Sequence, residues 1–77
     1  MEIMKKLDIG IMPEPLEQDI NQLIDAVNSG KRFVDCEMGE VLGDINQCES
    51  CRLIDGHTAR ILREYYIRGG WTDGQTV

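Results

Sequence analysis

Every cysteine of this chain and its only histidine fall inside one stretch: Cys36, Cys48, Cys51 and His57. Nothing else in the sequence constrains the fold as tightly. Cys48-Glu49-Ser50-Cys51 is a Cys-x2-Cys pair, a spacing that lets two thiolates reach one ion from a tight turn. Eleven residues separate Cys36 from the pair, and five separate the pair from His57. Zinc takes four such ligands in a tetrahedron, and a closed Cys3His set is a common structural site. Three thiolates and an imidazole leave no position for a reactive water, so the expected role of zinc is structural. Two alternatives stand beside this. The cysteines could be small buried hydrophobes, and Asp35, Asp55 or a neighbouring chain could replace His57 as the fourth ligand. A redox reading of the pair requires a βαβ setting, which the sequence does not offer.

The need for such a staple follows from length. A chain of 77 residues makes one domain over 1–77 and buries only about 60% of its unfolded surface. Its core supplies roughly 3–5 kcal/mol net, whereas structural zinc supplies an apparent ~10–16 kcal/mol in small peptides. Three cysteines cannot all pair within one chain, and a reducing compartment keeps thiols free. No apolar run reaches the roughly 18 residues that cross a bilayer. The first twelve residues mix charges with apolar side chains and show no signal-peptide pattern. The expectation is a cytoplasmic protein with no membrane contact.

Hydrophobic spacing predicts a small α+β fold, mostly helical, with about three helices, one or two short strands and one structural zinc. Ile3, Leu7, Ile9 and Ile11 occupy odd positions, which suggests a strand. Leu16, Ile20, Leu23, Ile24 and Val27 recur at helical spacing and predict a helix from about Pro15 to Asn28, closed by Gly30. Phe33 and Val34 favour a second strand over Lys31 to Asp35. Met38, Val41, Leu42 and Ile45 predict a helix from about Asp35 to Asn46, with Cys48 just past its end. Gly39 and Gly43 weaken that helix, or else admit another element closely. Asp55 is the expected N-cap of a last helix, lined by Ile61, Leu62 and Tyr65 and ended by Gly69-Gly70. Trp71 is expected to fold back, and 72–77 to form a frayed tail.

Charge narrows the function. Net charge is −6, with a pI near 4.5. Asp35, Glu37, Glu40, Asp44, Glu49 and Asp55 face only Arg52 over their stretch. Glu37, Glu40 and Asp44 share one side of the expected helix. The plain reading is a solvated surface; the functional one is an acidic stripe that docks on a basic partner. Asp19 and Asp25 of the first helix are the next candidates for that contact. Arg60, Arg63 and Arg68 form the one basic cluster and are expected to balance the acids internally. A nucleic-acid binder needs a basic footprint, so direct nucleic-acid binding is not expected. Nor is catalysis: there is no phosphate loop, no nucleophile elbow, and no partner group for a general base.

The set Cys36, Cys48, Cys51 and His57, within a short acidic chain, resembles the small phage-encoded inhibitors of bacterial immunity. In particular it looks like the zinc-containing anti-CRISPR proteins directed at type II-A Cas9. The resemblance implies a non-enzymatic inhibitor in the host bacterial cytoplasm that binds Cas9, which holds nucleic acid in positively charged channels, and blocks engagement of target DNA. The rival reading is a phage or bacterial adaptor that modulates transcription through apolar helix faces. A homodimer sharing zinc ligands between chains is a third arrangement.

Overall fold

The computed structural model describes residues 3–71. Three helices form: α1 (Glu14–Asn28), α2 (Asp35–Ser50) and α3 (Gly56–Leu62), the last running directly into a π-helical turn over Arg63–Ile67. Among the described residues there is no strand. The expected α+β fold is therefore corrected to an all-helical one, and no group of zinc ligands is found among the described residues.

α1 follows its apolar stripe. Leu16, Ile20 and Leu23 are buried, and Ile24 and Val27 pack against the same core. Pro15 sits in the first turn, where a missing amide costs no helical bond. At the other end the Gly30 amide donates to the Val27 carbonyl at 3.1 Å and the Lys31 amide to the Ala26 carbonyl at 3.0 Å. These paired bonds are a Schellman cap, which needs a left-handed residue. Gly30, with φ +83°, supplies it.

α2 is the central element, since α1, α3 and the π-turn all pack on it. It buries Val41, Ile45 and Cys48 at spacings of four and three, so Cys48 belongs to the helical stripe and not to a turn beyond it. The helix therefore outruns the expected end at Asn46. It stops in a second Schellman cap, where Arg52 donates to the Glu49 carbonyl at 3.0 Å and Leu53 to the Cys48 carbonyl at 2.8 Å. Here the left-handed residue is Arg52, at φ +61°. No atom lies within 4 Å of a Cβ added at Gly39 or Gly43; neither glycine admits a neighbouring element.

The first expected strand is an irregular strap over the core. Met4 is its fully buried anchor, while Ile11 is 96% exposed. Its backbone is held by side chains. The Asn28 Oδ1 accepts from the amides of Ile3 and Met4, both at 2.7 Å, and its Nδ2 donates to the Met4 carbonyl at 3.1 Å. Tyr66 Oη accepts from the Leu7 amide at 2.8 Å, and Tyr65 Oη donates to the Lys5 carbonyl at 2.8 Å. With those groups satisfied by helical side chains, no second strand is required. The other expected strand is the loop between α1 and α2, and its Phe33 stands 71% exposed.

α3 begins as its sequence predicts, with Asp55 Oδ1 accepting from the Thr58 amide at 2.7 Å. That bond holds the Asp55 carboxyl below its ordinary value. Ala59, Leu62 and Tyr66 are the buried positions; Ile61 and Tyr65 are half-buried. Trp71 packs against the core, as expected. The expected tail over 72–77 lies outside the described residues. Among these, no helix is long and apolar enough to cross a membrane.

A candidate docking site on the helical hairpin

Neither α1 nor α2 contains a lysine or an arginine. α1 carries Glu14, Glu17, Asp19 and Asp25, and α2 carries Asp35, Glu37, Glu40, Asp44 and Glu49. Three of these nine carboxylates are matched by bases outside the two helices: Lys6 pairs with Glu17, Lys31 of the connecting loop with Glu37, and Arg63 with Glu49. Glu14, Asp19, Asp25, Asp35, Glu40 and Asp44 have no ion pair among the described residues. The result is a two-helix layer with a net negative field, set by composition and left uncancelled by the fold.

Within the expected partner-binding set the three stripe residues differ. Glu37 is half-buried, and its hydrogen bond from Lys31 holds the carboxyl down while raising the lysine. Glu40 is exposed. Asp44 is half-buried, and its Oδ2 has no hydrogen-bond partner among the described residues. On α1, Asp25 is exposed and Asp19 half-buried. The stripe is therefore one engaged carboxylate, one free in solvent, and one turned toward the protein.

The four expected zinc ligands are pulled apart. Cys36 and Cys48 stand twelve residues apart on one unbroken helix, or about 18 Å at 1.5 Å per residue. No single ion with bonds near ~2.3 Å spans that separation. Cys36 is exposed, Cys48 buried and Cys51 exposed. His57 faces elsewhere, in a shallow groove of about 450 Å³ with Leu7, Arg60, Ile61, Glu64, Tyr65 and Gly70. Among the described residues no three His, Cys, Asp or Glu side chains gather in a group that could hold a metal ion. Cys36, Cys48, Cys51 and His57 of this chain do not converge on one point in this fold.

Two of the four do share surroundings. Cys48 and Cys51 line a small cavity of about 140 Å³ with Asp44, Gln47, Pro13, Pro15 and Leu53. The prolines enter α1 and the cysteines leave α2, so this cavity marks the two helices as an antiparallel hairpin. Burial pushes the Cys48 thiol up from its ordinary value, with the nearby Cys51 adding to the effect; Cys48 lines the cavity as a neutral group. The sequence reading missed this cavity. Its signal was the spacing of Asp44, Cys48 and Cys51 at four and three, legible once α2 is continued past Asn46.

The basic cluster of the C-terminal arm is largely consumed. Arg63 is bound to Glu49, and Arg68 lies 3.6 Å from Glu64 one helical turn away. Arg60 remains exposed.

No protein-family model matches the chain, and no curated protein or solved structure is similar to it.

Proposed function

We propose that this chain is a non-catalytic binding protein that docks the acidic α1–α2 hairpin onto a basic surface of a protein partner. The observation that carries the reading is the hairpin itself: two packed helices bearing carboxylates and no base. Uncancelled fields of this kind raise association rates and suppress wrong partners. Size is compatible, because the molecule measures 34 × 25 × 18 Å, and one side of a standard interface covers about 800 Å². Three cysteines without a disulfide suit a reducing cytoplasm.

The first partner to test is type II-A Cas9, whose basic channels present the complementary chemistry. The resemblance that suggests it rests on a ligand set that α2 separates, so charge complementarity is what remains in its support. Binding of purified Cas9 to the immobilised chain, read by interferometry, provides the test. Asp25→Lys with Glu40→Lys is expected to weaken binding at least about tenfold. Absence of any binding would discard Cas9 as the partner. Binding untouched by the reversal would discard the hairpin as the docking face, and would favour an adaptor using its exposed Phe33 and Leu53.

A further inference from the structure

The cavity between the start of α1 and the end of α2 has a composition that selects its occupant. Pro13, Pro15 and Leu53 give it apolar walls, Cys48 adds a neutral thiol, and Asp44 supplies the only charge. Asp44 Oδ2 is shielded from solvent, yet no donor among the described residues reaches it. With Oδ2 enclosed by the protein, the oxygen left for an incoming group is Oδ1, and a charged N–H makes the strongest hydrogen bond to such a half-buried carboxylate. Lysine and arginine bring that group on an apolar stem, which prefers to lie along apolar surface while the cation meets its partner. A volume of about 140 Å³ admits one such side chain and excludes a folded element. Leu53, 63% exposed, stands at the cavity as an exposed apolar wall that the stem can cover.

We propose that this cavity is an anchor pocket for one cationic side chain, lysine or arginine, of the protein partner, with Asp44 receiving the cation. The pocket rests on the reading of the hairpin as a docking face and adds to it a point of specificity. The distributed carboxylates attract any basic surface, whereas a walled cavity with one carboxylate selects a surface that projects a single basic side chain. An enclosed contact of this kind is where binding energy concentrates in interfaces, and exposed rim charges contribute mainly to rate.

The test uses the whole ¹⁵N-labelled chain and three small probes: the N-acetyl methylamides of arginine, lysine and norleucine. Saturable amide shifts are expected at Asp44, Gln47, Cys48 and Leu53 with both cationic probes, and much weaker ones with norleucine. Asp44→Asn keeps the side-chain shape and is expected to lower the affinity of the cationic probes at least about tenfold. Asp8→Asn, at an exposed carboxylate of the strap outside the hairpin, is expected to leave it within about twofold. Equal response to norleucine, unchanged affinity in Asp44→Asn, or the absence of saturable shifts at these amides would each overturn the pocket. The two readings fail separately. If Asp44→Asn is silent while the Asp25→Lys, Glu40→Lys reversal still weakens partner binding, only the pocket falls. If Asp44→Asn abolishes probe binding while the reversal leaves partner affinity intact, the pocket stands and the docking face is wrong.

Discussion

The α1–α2 hairpin and the arm formed by α3 and its π-turn use their polar groups in opposite ways. In the arm they are spent inside the molecule. Tyr65 and Tyr66 hold the backbone of the strap, Asp55 caps α3, Arg63 reaches Glu49, and Arg68 lies beside Glu64. The two tyrosine rings meet edge to face at 4.8 Å, a favourable arrangement for aromatic pairs, and the wide π-turn carries them side by side. In the hairpin the apolar stripes face inward and, among the described residues, six carboxylates are left without an ion pair. The difference separates two tasks: the arm fastens the chain, and the hairpin is left to meet something else. Substitutions should therefore divide cleanly between stability and binding.

The largest expected effect is on the fastening. Tyr66→Phe keeps the ring and removes only the acceptor for the Leu7 amide, which should cost about 1–2 kcal/mol. A denaturant melt reads the loss, and hydrogen exchange should quicken at Leu7 while the hairpin amides keep their protection. Uniform loss of protection would mean that strap and hairpin are one cooperative unit, and the contrast between the regions would be weaker than drawn.

Gly39→Ala and Gly43→Ala come next, with the opposite sign. Both positions are exposed with open space around them, so each substitution should raise stability by up to about 1 kcal/mol. The measurement is again a melt, and a drop at either site would place an unseen neighbour on the face left open for a partner.

A smaller effect follows from Asp55. Its carboxyl is held below the ordinary value of 3.8, chiefly by the Thr58 amide. A depressed carboxyl stabilises the fold above its unfolded value and ceases to do so as pH falls through the lower folded one. Asp55→Ala should lower Tm by roughly 5 °C near neutral pH and flatten the acid limb below about pH 4. An unchanged acid limb would remove Asp55 from the groups that the arm uses internally.

The smallest expected effect is that of removing metal. With α2 continuous between Cys36 and Cys48, chelator should leave helical circular dichroism and Tm unchanged. A zinc-dependent melt would mean either that α2 breaks before Cys48, which would remove the anchor pocket, or that two chains share the ligands, which a zinc-dependent change of elution volume would show.

What could be read in advance follows from which forces are local. α1 was legible because its stripe, Pro15 and Gly30 all act within a few residues. Asp55 announced α3 for the same reason. The strap was misread because Ile3, Leu7, Ile9 and Ile11 alternate as a strand does, while its hydrogen-bond partners are Asn28, Tyr65 and Tyr66, distant in sequence. The end of α2 was misplaced for two reasons. The cysteine pair invited a turn, and the true stop uses Arg52 in a left-handed conformation where no glycine marks it. The acidic bias around α2 was visible as composition, but the division of Glu37, Glu40 and Asp44 into engaged, free and inward-facing carboxylates depends on packing against Lys31 and the start of α1. The spacing of Asp44, Cys48 and Cys51 announces one wall of the anchor cavity, but Pro13 and Pro15 reach it from about thirty positions earlier in the chain, which no local spacing shows.

The docking claim itself is tested most directly by the salt dependence of Cas9 affinity, compared between a hairpin reversal and an arm reversal. Between about 0.05 and 0.2 M salt the wild-type chain should lose affinity steeply. Asp25→Lys with Glu40→Lys should flatten that dependence, and Arg60→Glu in the arm should leave it as steep. A flat wild-type profile, or an equal loss from the arm reversal, would contradict the assignment of binding to the hairpin.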